Sequence, residues 1–261
     1  MLQPLPLRWT TEPSILLPML VAAGLYVWHR RADRPADSRP VCFWLGLLAF
    51  FVALVTPLDS ASDRYLLSAH MAQHILITMV GPPLLLAGLP SLESTRLGAL
   101  PRFILNPWVA VTLFNVDLLV WHWPALYQAT LENEGLHIIE HVTFVATAFV
   151  FWWPITGPAT RGGARLSRLM KVGYLAFAGV PPTVIGVILA FVPRVLYPFY
   201  MVAPRLVPAL SPLVDQQLAG ILMFGIGNLI YFVPLSYNFI RLLEEEGGAG
   251  PGAETDGAVS L

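Results

Sequence analysis

Long apolar segments separated by short basic stretches dominate this chain, and they leave few folds open to it. Seven come close to the ~20 residues that a helix needs to cross the hydrocarbon layer of a bilayer. They are roughly 14–28, 41–57, 66–89, 107–122, 136–155, 172–192 and 216–238. A segment in lipid must satisfy its backbone hydrogen bonds internally, so the expected class is all-α, a polytopic membrane protein with seven transmembrane helices. Composition agrees: 12% of the 261 residues are charged, against about a quarter in a soluble domain. Aromatic residues collect at segment ends, as in "YVWH", "WHWP" and "FWWP", where interfacial belts form. "GPP" at 81–83 and "VPP" at 180–182 predict kinks in the third and sixth spans.

The basic residues orient the bundle. Loop 29–40 carries Arg30, Arg31, Arg34 and Arg39; loop 90–106 carries Arg96 and Arg102; loop 158–171 carries Arg161, Arg165, Arg168 and Lys171. Arg241 follows the last span on the same side, whereas the opposite side holds only Arg8, Arg64, Arg194 and Arg205. Positive charge stays inside, so the N-terminus is expected outside and the C-terminus in the cytoplasm. Residues 1–243 form the expected transmembrane domain, and the acidic, glycine-rich 244–261 a disordered cytoplasmic tail. The first residues lack the pattern of a cleaved leader. The apolar runs imply a lipid bilayer as partner; the net charge of −1 says nothing about nucleic acid, and no basic stripe suggests it. One cysteine, Cys42, excludes a disulfide framework or thiolate cluster within the chain, and it falls on the cytoplasmic side.

Histidines supply the chemistry. His29 ends the first span beside Arg30 and Arg31 and reads as interfacial. The other five map to the outer half: His70 and His74 in "HMAQH", His122 in "WHWP", His137 and His141 in "HIIEH". Spacing of i, i+4 puts each pair on one helix face, about 6 Å apart along the axis. Polar side chains at membrane depth face the bundle interior, so the two pairs are expected to converge, with His122 at the rim. One such histidine is a helix–helix hydrogen-bond partner; five on one side point to a metal or haem. Imidazole suits copper, zinc, iron and nickel.

The acids around them have several readings. H-x-x-E-H is also the inverted zincin pattern, but weakly specific, and Glu140 reads better as a group that orients a ligand histidine. Asp59 and Asp63 are ligands, guides for cations, or solvated loop acids. Asp117, beside Asn115 in mid-span, is expected to face the interior. It precedes His122 by five residues, about 140° around a helix, so the two do not share a face. Met71 and Met79 flank the first pair and either favour cuprous copper or pack. Asp215, Gln216 and Gln217 open the seventh span on the histidine side.

Three motifs in order, "SAHMAQHILITMVGPPLLLAGLP", "WHWPALYQATLENEGLHIIEHVTFVATAFVFWWPITG" and "DQQLAGILMF", resemble the seven-span CtaG family of cytochrome c oxidase assembly proteins. This family is distinct from the single-span copper chaperone of the same name. The resemblance covers roughly residues 40–240 and departs from the family at "ILMF". It implies a role in maturing haem–copper oxidases in the bacterial cytoplasmic membrane, with copper as the metal. A terminal oxidase subunit or a copper chaperone would be the partner. It carries over His70, His74, His122, His137, His141 and Asp215 as functional positions. The expected function is therefore copper binding near the outer face in aid of oxidase assembly, without catalysis in the ordinary sense. Two alternatives stay open: a membrane-embedded metalloenzyme using zinc or two irons, and a haem-binding electron carrier with axial ligands from the third and fifth spans.

Overall fold

The computed structural model describes residues 7–32, 37–90, 106–158 and 166–247, and it is all-helical there, with no strand among the described residues. The helices are α1 (Pro13–Ala32), α2 (Arg39–Leu54), α3 (Pro57–Arg64), α4 (Leu67–Gly88) and α5 (Pro107–Trp121). Then come α6 (Pro124–Glu132), α7 (Glu134–Thr156), α8 (Arg168–Phe191), the single turn α9 (Phe199–Val202) and α10 (Pro212–Glu246). By length and composition, α4, α7, α8 and α10 can each cross a membrane alone. Two bent pairs, α2 with α3 at 47° and α5 with α6 at 72°, raise the candidate spans to six.

Proline explains the bends. Pro57 and Pro124 start α3 and α6, where the missing N–H costs nothing but continuation of the preceding helix is blocked. α1 lies along α2, with Tyr26 stacked on Phe43 at 3.8 Å. The basic loops 29–40, 90–106 and 158–171 fall partly outside the described residues, including Arg34, Arg96, Arg102, Arg161 and Arg165. Helical structure continues to Gly247, four residues into the stretch read as tail, and 248–261 lie outside the described residues.

The "GPP" motif does more than kink α4. A π-helical stretch, Leu76–Val80, precedes it. Pro82 has no N–H to offer the Thr78 carbonyl, and the indole Nε1–H of Trp152 on α7 donates to it instead at 2.9 Å. In α8 the break falls at Gly179, just before "VPP", and α10 carries a second π-helical stretch at Leu222–Gly227. Small residues let helices touch: a Cβ on Gly220 would lie 2.4 Å from the Gly186 carbonyl oxygen, so α8 and α10 meet backbone to backbone.

One apolar core, with Phe114, Phe151, Trp152 and Tyr174, joins α4, α5, α7 and α8. A second, with Leu67, Met71, Tyr127, Tyr197, Tyr200 and Met223, joins α4, α6 and α10. Met71 and Met79 both belong to these cores. The outer surface is apolar too, as at Leu48, Leu119, Ile138, Val184 and Phe232, the pattern of helices that meet lipid.

Candidate metal centre

The first turns of α4 and α7 lie side by side, and each brings two histidines one turn apart. Ring centroids are 4.1 Å apart for His70 and His74, and 4.3 Å for His137 and His141. Across the helices the distances are 5.7 Å for His70–His137 and 5.4 Å for His74–His141. Four imidazoles thus form a ladder, its rails set by the helical turn and its rungs by packing. His122, at the end of α5, adds a fifth ring 6.4 Å from His74. It was expected at the rim; instead it is 7% exposed and packs against Phe144.

Glu140 sits inside the ladder, fully buried, with one carboxylate oxygen 3.9 Å from the Nε2 of both His70 and His74. That is too long for a hydrogen bond to either ring. Hydrogen-bond satisfaction marks this place: elsewhere among the described residues, Asn115 and the hydroxyls of Tyr26 and Tyr231 are the side chains buried without a partner. Both ring nitrogens of His70 and of His74, one nitrogen each of His122, His137 and His141, and both Glu140 oxygens are buried without a partner among the described residues. Ser62 and Thr130 come near His70 and Glu140, but neither contact has hydrogen-bond geometry. Thr130 instead donates to the Tyr127 carbonyl at 2.8 Å. Nearly all buried polar groups in proteins are paired, with protein, water or an ion, and this convergent set could hold a metal ion. Two triads have donor atoms within 4.8 Å of one another: His70, His74 and His141, and His70, His137 and Glu140. Neutral imidazoles with one carboxylate fit a borderline transition metal such as copper or zinc.

The surroundings hold these donors in place. Asp215 on α10 accepts from the backbone N–H groups of Leu67 at 2.7 Å and Ser68 at 3.2 Å, and also from the Ser68 hydroxyl. It therefore caps α4 from a distant helix, three residues before His70. Asp59 accepts from Thr10 at 2.6 Å and from Gln73 Nε2 at 2.9 Å. Gln73 also donates to the Ala53 carbonyl at 3.0 Å and accepts from Ser62 at 2.7 Å, fixing α4 to α2 and α3. Asp63 lies 3.7 Å from His137 Nε2. The Nδ1 of His122 is 2.8 Å from the Leu118 carbonyl, so it carries the proton there and leaves Nε2 a lone pair.

Asp117 stands apart from this group. Its two oxygens accept from Trp121 at 2.9 Å and Thr147 at 2.8 Å, linking α5 to α7.

Three tyrosines, unmarked as functional in the sequence, wall one side. Tyr127 lies 5.2 Å from the His70 ring and hydrogen-bonds Tyr200 at 2.9 Å, while Tyr197 donates to the His122 carbonyl at 3.1 Å. Burial pushes the phenols of Tyr197 and Tyr200 upwards, which keeps them neutral. Ser62 and Gln73 went equally unmarked, although "HMAQH" contains the glutamine.

Fold and site together define an apolar helical bundle with an imidazole-rich donor cluster between two helix starts. The family model described as "Cytochrome c oxidase caa3 assembly factor" matches residues 19–245, and the chain belongs to that family. Among curated proteins, it is 25% identical over 187 residues to an uncharacterized protein of Mycobacterium leprae, covering 62% of this chain. It is 26% identical over 192 residues, 64% of its length, to uncharacterized proteins of Mycobacterium bovis and Mycobacterium tuberculosis. The chain spans 28% of the length of each of these relatives. No solved structure matches it.

Proposed function

We propose that this chain binds copper through the histidine cluster, near the outer face of the bacterial cytoplasmic membrane, and serves the assembly of a haem–copper oxidase. The observation that carries the reading is the convergence of unpaired buried nitrogens from five histidines, with the Glu140 carboxylate, between α4 and α7. Family membership supplies the oxidase context. α1, α2, α4, α5, α7, α8 and α10 are read as seven spans, with the N-terminus outside. α3 and α6 then cover the cluster at the outer end, with Asp63 and His137 on the solvent side. Copper is cargo here rather than a catalyst. The imidazoles bind it, the Tyr127 wall excludes water, and a terminal oxidase subunit or a copper chaperone is the partner across the outer surface.

The test is elemental analysis of detergent-purified protein after copper loading, beside a chain in which His70, His74, His122, His137 and His141 are all alanine. Stoichiometric copper in the first and none in the second is expected, with terminal oxidase activity falling in cells that carry the variant. Equal copper in both chains overturns the reading, as does zinc, or a haem Soret band, in its place. A reporter that works only in the cytoplasm, fused at the C-terminus, should be active.

A further inference from the structure

The two triads overlap. His70 belongs to both, while His137 and Glu140 belong to one and His74 and His141 to the other. They differ in place and in chemistry. Each triad has one part-exposed histidine, His137 or His141, but His137 also faces Asp63 of α3, which is 33% exposed, so its triad is the one at the α3 end of the cluster. His74 and His141 lie one helical turn further along α4 and α7. The triad at the α3 end offers two imidazoles and a carboxylate, and the other one three imidazoles.

Resting on the metal-binding reading of this cluster, we propose that it offers a single cation two successive positions. The outer one is built on His70, His137 and Glu140, and the inner one on His70, His74 and His141. The cation passes between them without leaving His70. A neutral imidazole has one acceptor nitrogen, so His70 serves one position at a time. Two divalent ions on donor sets this close would also repel strongly in a dry interior. The move exchanges His137 and Glu140 for His74 and His141, and no bond to His70 need break. Glu140 can track the charge, since one of its oxygens is equidistant, at 3.9 Å, from the Nε2 of His70 and His74. The carboxylate-bearing outer position suits a divalent ion arriving from water, and the all-imidazole inner one a softer hold. The ladder thus acts as a relay with a fixed pivot.

Cupric ion is the probe, added to the full chain in detergent. Bound copper is measured by equilibrium dialysis, and the coupled imidazole nitrogens are counted by pulsed electron paramagnetic resonance. Wild type should bind one ion. The His74→Ala/His141→Ala chain should still bind one, on two imidazoles. The His137→Ala/Glu140→Gln chain should bind one on three imidazoles, but load more slowly. His70→Ala should bind none, with His70→Asn used if the alanine chain does not fold. Two ions on wild type overturn the single-cation relay. Loss of all binding in both double variants shows one undivided site, and wild-type affinity in the His70 variants removes the pivot. No copper on wild type sinks instead the metal-binding reading beneath it.

Discussion

α7 carries two sets of buried polar groups on different faces, and they have opposite fates. Towards α5, Thr143 and Thr147 meet Asp117 and Trp121: Trp121 Nε1 donates to Asp117 at 2.9 Å and to Thr143 at 2.8 Å, and Thr147 donates to Asp117. Both carboxylate oxygens are engaged. Towards α4, His137, Glu140 and His141 meet His70 and His74, and buried nitrogens and oxygens are left without partners. The rule that an ionisable residue in a membrane helix is functional treats Asp117 and Glu140 alike. Their hydrogen bonds separate them: the first set fastens two helices, and the second leaves its nitrogens and oxygens open.

That contrast can be broken experimentally, and acidification should act most strongly. Imidazole must be neutral to ligate, so copper affinity should fall as protons compete for the ring nitrogens at low pH. Copper titrations at stepped pH would show it, and a flat profile would mean that the histidines are not the ligands. Next in size is Asp215→Ala, which strips the cap from the turn that carries His70. We expect a loss of about 1–2 kcal/mol in stability together with weaker copper binding, read from thermal unfolding and titration of the same sample. Unchanged copper affinity would show that the start of α4 holds its place without the cap. Smallest is Asp117→Ala: about 1 kcal/mol of stability lost and copper affinity unchanged. If it instead releases copper, the two faces of α7 are coupled and the contrast fails.

Much of the site was legible because a helix turn is a local rule. The i, i+4 spacing in "HMAQH" and "HIIEH" places each pair on one face before any packing is known. What brings the pairs together is not local. Asp215 reaches Leu67 across 148 residues, and no spacing rule announces it. Gln73 sits between two conspicuous histidines, yet its partners, Ala53, Asp59 and Ser62, belong to other helices. Pro57 and Pro124 announce that α2 and α5 must stop, but the angles at which α3 and α6 leave depend on tertiary packing. The burial of His122 has the same origin, since α6 turns back by 72° just after it.

The π-helical stretch at Leu76–Val80 works as a phase shifter. In an uninterrupted α-helix, His74, Gly81 and Gly88 would fall seven residues apart and point almost the same way. Yet His74 faces Phe144 of α7, whereas a Cβ on Gly81 or Gly88 would strike Phe50 or Phe43 of α2. The wide turn holds about one extra residue, and so rotates the C-terminal half of α4 by about 100° relative to its N-terminal half. Gly81 thereby lines up with Gln73, which also faces α2 through the Ala53 carbonyl. One helix can then present ligands to one neighbour and a flat small-residue face to another. Wound as regular α-helix with all its residues, 76–80 would put the two faces back in phase, and either the histidines would swing off α7 or the glycines would leave α2. Deleting a single residue there would instead let a regular turn keep both faces in place.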